Sequence, residues 1–161
     1  DMEKGLDEVA YLKYSGNTFS ETISLSDADF VSVDLFRAPV KEKRVVTGDL
    51  KGVAHLIISG ARGSGKRFVE VNYRHTNVVY DQFHTYPIIT TAQAWQLLQQ
   101  GAGYVARPPV QSKEMVIRSV SLGYYDTLDG QRFLQPVYIF EGDEDVVAYV
   151  PAVHPDMFLA Q

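Results

Sequence analysis

Residues 115–153 hold three apolar segments separated by joints too short for anything but antiparallel pairing. "MVIRSVSLGYYD" runs from Met115 to Asp126, "RFLQPVYIFEG" from Arg132 to Gly142 and "DVVAYVPAV" from Asp145 to Val153. "TLDG" joins the first two and "GDE" the last two, and Gly and Asp at such joints favour tight turns. A parallel neighbour would need a crossover of about a dozen residues or more. The middle segment adds a second constraint. Phe133, Val137 and Ile139 fall on one side of it, and Leu134, Tyr138 and Phe140 on the other. A strand apolar on both faces is covered on both. Pro136 cannot donate a ladder hydrogen bond, which predicts an edge or a bulge at that point.

A helix just upstream supplies one covering layer. In "TYPIITTAQAWQLLQQG", Pro87 excludes an earlier start, Thr90 is placed to cap, and Gln93 completes a capping box. Gly101 is the stop. Thr91, Ala94, Trp95 and Leu98 make one face, with Trp95 expected as its core anchor rather than as a ligand platform. One helix covers only part of a three-stranded sheet, so the far face must meet the preceding residues, a partner or water. These features predict an α+β fold of mainly antiparallel sheets. Its expected parts are a β-rich half (1–88) and a helix-strand-strand-strand module (89–161), packed as one cooperative unit.

Upstream, "SGARGSGKRF" (Ser59 to Phe68) has the spacing of a phosphate-cradling loop. A working loop opens a helix and carries Ser or Thr after its lysine to ligate magnesium. Here Arg67 follows Lys66, and "RFVEVNYRH" alternates Val69, Val71 and Tyr73 with Phe68, Glu70, Asn72 and Arg74, the period of a strand. With "VAHLIIS" (Val53 to Ser59) before it, the stretch reads as a β-hairpin turning on Gly60, Gly63 and Gly65. No nucleotide binding is expected. The second strand is expected to continue through "NVVYD" (Asn77 to Asp81). Further upstream, "DFVSVDLFR" (Asp29 to Arg37) predicts a strand with Val31, Val33 and Leu35 inward. "KEKR" (Lys41 to Arg44) reads as a solvated loop, and Asp1 to Asn17 as a turn of helix or a frayed lead-in.

Ten Tyr, eight Phe and abundant Val and Ile agree with a sheet-rich chain. A net charge of −5 argues against nucleic acid as a partner, since phosphate binding needs a basic surface. No run approaches the roughly 18 apolar residues of a membrane span. The opening Asp1-Met2 reads as the start of a mature fragment whose targeting segment was removed. The absence of cysteine excludes disulfides and thiolate chemistry.

The helix "ITTAQAWQLLQQG", followed by "IRSVSLGYYD", "FLQPVYIFEGD" and "VVAYVPAV", resembles the PepSY-like module, and more narrowly the extracytoplasmic part of YycI-type regulators. Leu122, Tyr124, Tyr125, Pro136, Val137 and Tyr138 carry the likeness, which covers residues 89–161. The resemblance implies an exported bacterial envelope domain, membrane-anchored through a segment absent from this chain. It also implies a regulatory role toward a sensor kinase, with no catalytic residues.

Read directly, the candidate sites are few. His55, His75, His84 and His154 show no metal-ligand spacing on a helix, so neither metal nor other cofactor is expected. Ser64 lies in an incomplete nucleophile motif, and the acidic run Glu141 to Asp145 reads as a hairpin turn rather than a calcium loop. Tyr124, Tyr125, Tyr138 and Tyr149 are candidates to line a partner-binding groove. Asp34, Arg37 and Glu70 would form a polar pocket if their strands pair. The expectation is a non-enzymatic domain binding another envelope protein or peptide by a sheet face or open strand edge. The alternatives are a small hydrolase acting on wall polymers through Asp34 and Glu70, and a carbohydrate-binding module using the tyrosines.

Overall fold

The computed structural model describes residues 7–60, 67–127 and 131–157. In chain order the strands are β1 (Asp7–Ser15), β2 (Thr18–Thr22), β3 (Phe30–Leu35), β4 (Val45–Val46), β5 (Ala54–Ser59), β6 (Phe68–Tyr73), β7 (Tyr104–Arg107), β8 (Ile117–Tyr125), β9 (Gln135–Gly142) and β10 (Val147–Pro151). The helix α1 (Thr91–Gln99) lies between β6 and β7. This is the expected α+β class with mainly antiparallel sheets. The chain divides into two compact units, one of residues 1–38 and 51–76, the other of residues 39–50 and 77–161.

The first unit carries an antiparallel sheet of order β2-β1-β3-β5-β6. The lead-in expected before Asn17 is instead the β1–β2 hairpin. Ser15 pairs with Thr18, leaving Gly16 (φ 59°) and Asn17 (φ 67°) as a two-residue loop. Two successive positive φ values match the twist of the flanking strands, and Gly-Asn reaches them at little cost. The β5–β6 hairpin forms as expected, but its turn at Gly63, Ser64, Gly65 and Lys66 lies outside the described residues. β6 stops at Tyr73, and residues 77–81 are not a strand. In β3 the burial runs opposite to expectation. Ser32 is the buried residue, while Val31, Val33 and Leu35 are half-exposed. Ser32 shares its face with buried Leu12, His55 and Ile57, so on this strand polarity does not mark the outward side.

The second unit carries a sheet of order β4-β8-β9-β10-β7, antiparallel except for the β4–β8 pair. β9 is central, and Val137, Tyr138, Ile139 and Phe140 are all buried, as its two apolar faces require. Tyr138 and Phe140 pack with Ala94 and Leu98 of α1 and with Ala148 and Val150 of β10. Val137 and Ile139 pack on the other side with Val46, Tyr149 and Leu50. The second covering layer therefore includes the excursion 39–50, which lays β4 alongside β8. Gly123 permits this approach, because a Cβ there would stand 2.7 Å from the Arg44 carbonyl oxygen and 2.5 Å from Ile139 Cδ1.

Pro136 corrects another expectation, since β9 is no edge and the β8–β9 ladder is regular at that residue. Its carbonyl accepts the Ala152 amide at 2.9 Å. The Ala152 carbonyl, which a proline cannot serve, takes the Ile89 amide at 2.8 Å instead. The proline thus hands one ladder position to the segment leading into α1. The capping box at Thr90 and Gln93 forms, and Gly101 (φ 77°) closes the helix in a Schellman turn, with Gly101 N–H donating to Leu98 O and Ala102 N–H to Leu97 O. Trp95 is not the core anchor. Ala94 and Leu98 are buried, whereas Trp95 is 39% exposed and touches Phe140 at a ring separation of 6.0 Å.

Candidate functional site

The four candidate tyrosines do not share one surface. Tyr138 points to the α1 side and donates its buried hydroxyl to the Ile89 carbonyl at 2.7 Å. Tyr149 lies on the opposite face, donates to the Thr47 carbonyl at 3.3 Å, and packs against Tyr125 and Tyr104. Burial pushes the Tyr149 phenol well above its ordinary range, and raises Tyr125 too. Tyr138 and Tyr149 thereby join the sheet to the chain that covers it. Tyr124 and Tyr125 are half-buried where β4 pairs with β8.

In the first unit the strands bring Asp34 and Glu70 to one histidine. His55 Nδ1 donates to Asp34 Oδ2 at 2.9 Å, and its Nε2 stands 4.0 Å from Glu70 Oε1. The second Asp34 oxygen accepts the Gly52 amide at 2.8 Å. Arg37 turns elsewhere: it is buried and donates to the Thr76 carbonyl at 2.8 Å, with His75 Nε2 at 3.5 Å. Nothing local in the sequence marks Asp34, twenty-one residues earlier, as the cross-strand partner of His55.

The open feature of the second unit is the outer edge of β8. Tyr124 donates its amide to the Arg44 carbonyl and Asp126 to the Val46 carbonyl, both at 2.9 Å, so even-numbered residues turn their backbone groups toward β4. β4 is two residues long and pairs only with Tyr124 and Tyr125. Following the pleat back, Leu122 and Val120 present N–H and C=O groups in the same direction. Among the described residues, no strand pairs with them there. A bulge between Ile117 and Ser119 ends the regular edge. Val120 and Leu122 stand opposite Phe140 and Tyr138, so their side chains share the helix-bearing face. On that face lies a shallow, mainly apolar groove of about 320 Å³, lined by Thr91, Ala92, Trp95, Ile117, Val120 and Phe140 together with Arg118 and Ser119. A ladder edge thus adjoins a mainly apolar groove that includes the exposed part of Trp95.

The acidic turn after β9 is bound up in local structure. Asp143 forms a two-point pair with Arg118 at 2.6 and 2.8 Å, which holds its carboxyl below the usual range. Glu144 accepts the amides of Gln111 at 2.6 Å, Val110 at 2.7 Å and Ser112 at 3.2 Å. Foremost through the Gln111 amide, these bonds keep its carboxyl below the ordinary glutamate range. A depressed pKa means that this anchor is complete above the unfolded-state value and is lost as pH falls through the lower, folded value. Amide exchange by NMR should therefore show Val110 and Gln111 protected at neutral pH and losing protection below about pH 4. Protection unchanged down to about pH 2 would contradict that anchor.

No family model matches the chain, and no curated protein or solved structure does either.

Proposed function

We propose that the second unit binds an extended segment of another protein by strand addition to β8. The observation that carries this reading is the outward-facing backbone of Val120 and Leu122 beside the Trp95 groove. Main-chain pairing gives affinity without regard to sequence, and the groove selects what stands opposite Val120. In an antiparallel or parallel ladder, a residue facing Val120 points to the same side of the sheet. It would therefore enter the groove, and an apolar side chain suits the lining of Trp95, Val120 and Phe140. We extend this proposal to a regulatory role in the bacterial envelope, the role that a likeness of residues 89–161 to PepSY-like and YycI-type modules would imply.

The test uses the one tryptophan of the chain, Trp95, as the reporter. Random linear peptides panned against the protein should enrich for extended sequences with alternating apolar residues, and their binding should shift Trp95 emission to the blue. Val120→Pro should abolish that binding. Its amide faces away from β9, so the substitution removes the docking donor while leaving the β8–β9 ladder its hydrogen bonds. Equal binding to a folded Val120→Pro protein would refute strand addition at this edge.

A further inference from the structure

β6 is the outermost strand of the first unit's sheet, and past the register shift between Phe68 and Glu70 its outer edge runs to Tyr73 without lysine or proline. Native edges are protected by lysine and other charges, by proline, by bulges or by being kept very short. The Phe68, Val69, Val71 and Tyr73 side chains of β6 are each more than half exposed. Arg74 donates its amide to the Val53 carbonyl at 2.7 Å, toward β5. By alternation Asn72 also faces β5, so Val71 and Tyr73 turn their N–H and C=O groups outward.

We infer that this edge pairs with the β6 edge of a second copy of the chain, antiparallel about a two-fold axis through Asn72. The strand's own charges select both the occupant and the register. Directly opposed residues of a continuous sheet lie on the same face, so a two-fold axis must pass through a residue. An axis at Glu70 sets Glu70 against Glu70, and like charges in direct opposition are unfavourable. An axis at Val71 sets Glu70 against Asn72. An axis at Asn72 sets Glu70 against Arg74 twice over, Asn72 against Asn72, and Val71 against Tyr73. In that register Val71 and Tyr73, the residues with outward backbone groups, form the hydrogen-bonded pairs. The irregular stretch where the β5–β6 register shifts, between Phe68 and Glu70, stays outside the paired segment. The strand is thus complementary to itself in charge, apolar pairing and hydrogen bonding at a single alignment. Five residues from each copy bury well under the area of a standard interface, so the association is weak and concentration-dependent.

The chain has no cysteine, so single cysteines report the register without background. At the axis, Asn72 faces its own copy in a non-hydrogen-bonded pair, where Cα atoms lie about 4.5 Å apart, within disulfide reach. Under mild oxidation at high protein concentration, Asn72→Cys should form a disulfide-linked dimer and Glu70→Cys should not. Sedimentation of the unmodified protein should shift from monomer toward dimer with concentration. Arg74→Glu should abolish that shift, and Glu70→Arg combined with Arg74→Glu should restore it, with circular dichroism confirming that each variant is folded. Equal cross-linking of Asn72→Cys and Glu70→Cys would mark random collision and overturn the inference. So would a monomer at every concentration without a cross-link at residue 72.

Discussion

Phe140→Ala should destabilise the second unit by about 3–5 kcal/mol, the range for emptying a large buried aromatic site. Phe140 is 2% exposed on the central strand and packs with Ala94 and Leu98 of α1 and Ala148 of β10; β10 is held by its ladder to β9, and the segment entering α1 by the bond from Ile89 to Ala152. β10 cannot close the space without breaking its ladder, nor α1 without disturbing the Ile89 bonds to Ala152 and Tyr138, so a cavity remains and its cost adds to the lost transfer energy. Trp95→Ala on the neighbouring helix removes a larger side chain but should cost only about 1 kcal/mol, as expected of a part-exposed position. Urea denaturation followed by far-ultraviolet circular dichroism measures both. A smaller midpoint shift for Phe140→Ala than for Trp95→Ala would reverse the assignment of core and groove, and with it the docking surface beside β8.

That comparison shows where the sequence is a good guide and where it stops. The β8–β9–β10 meander was legible because short turns and a two-sided apolar strand leave one solution. The capping box at Thr90 and Gln93 and the stop at Gly101 fixed α1 in the same local way. The Gly16-Asn17 loop is an equally local hairpin signal, but the charged residues around it obscured the alternation of β1. β7 leaves little trace because only four residues, Tyr104–Arg107, stand between Gly103 and Pro108-Pro109, too few to show a period. Trp95 was misplaced because helical spacing gives a face but not its centre: the buried line runs through Ala94 and Leu98, and the large indole sits at its margin. β4 was not legible at all. Two residues carry no period, and a parallel pairing with β8 some eighty positions away leaves no local trace. Because the length of β4 decides how much of β8 stays open, the docking edge was equally invisible. Asp34 and Glu70 were picked out as residues, but His55, which joins them, depends on strand register.

Asp34→Ala should cost about 3 kcal/mol, since each buried donor left without its acceptor costs roughly 1–3 kcal/mol. The carboxylate serves two donors at once, the Gly52 amide and His55 Nδ1, and both His55 and the Asp34 side chain are largely shielded from water. Removing it leaves two donors without their acceptor, and little room for water to replace it. Asp34→Asn keeps one accepting oxygen and turns an amide toward the other donor, so it should lose less, though still measurably. Glu70→Gln should fall within about 0.5 kcal/mol of the parent, since Glu70 is well exposed and stands 4.0 Å from His55 Nε2. This ordering belongs to a structural bracket between β3, β5 and the chain entering β5. A catalytic pair would behave differently: Asp34→Asn and Glu70→Gln would both stay folded and both lose a wall-polymer hydrolysis shown by the parent. Thermal melting beside a hydrolysis assay on the two conservative variants separates the cases. Activity lost in both without a change in stability would displace the structural reading and assign the Asp34–His55–Glu70 group to chemistry.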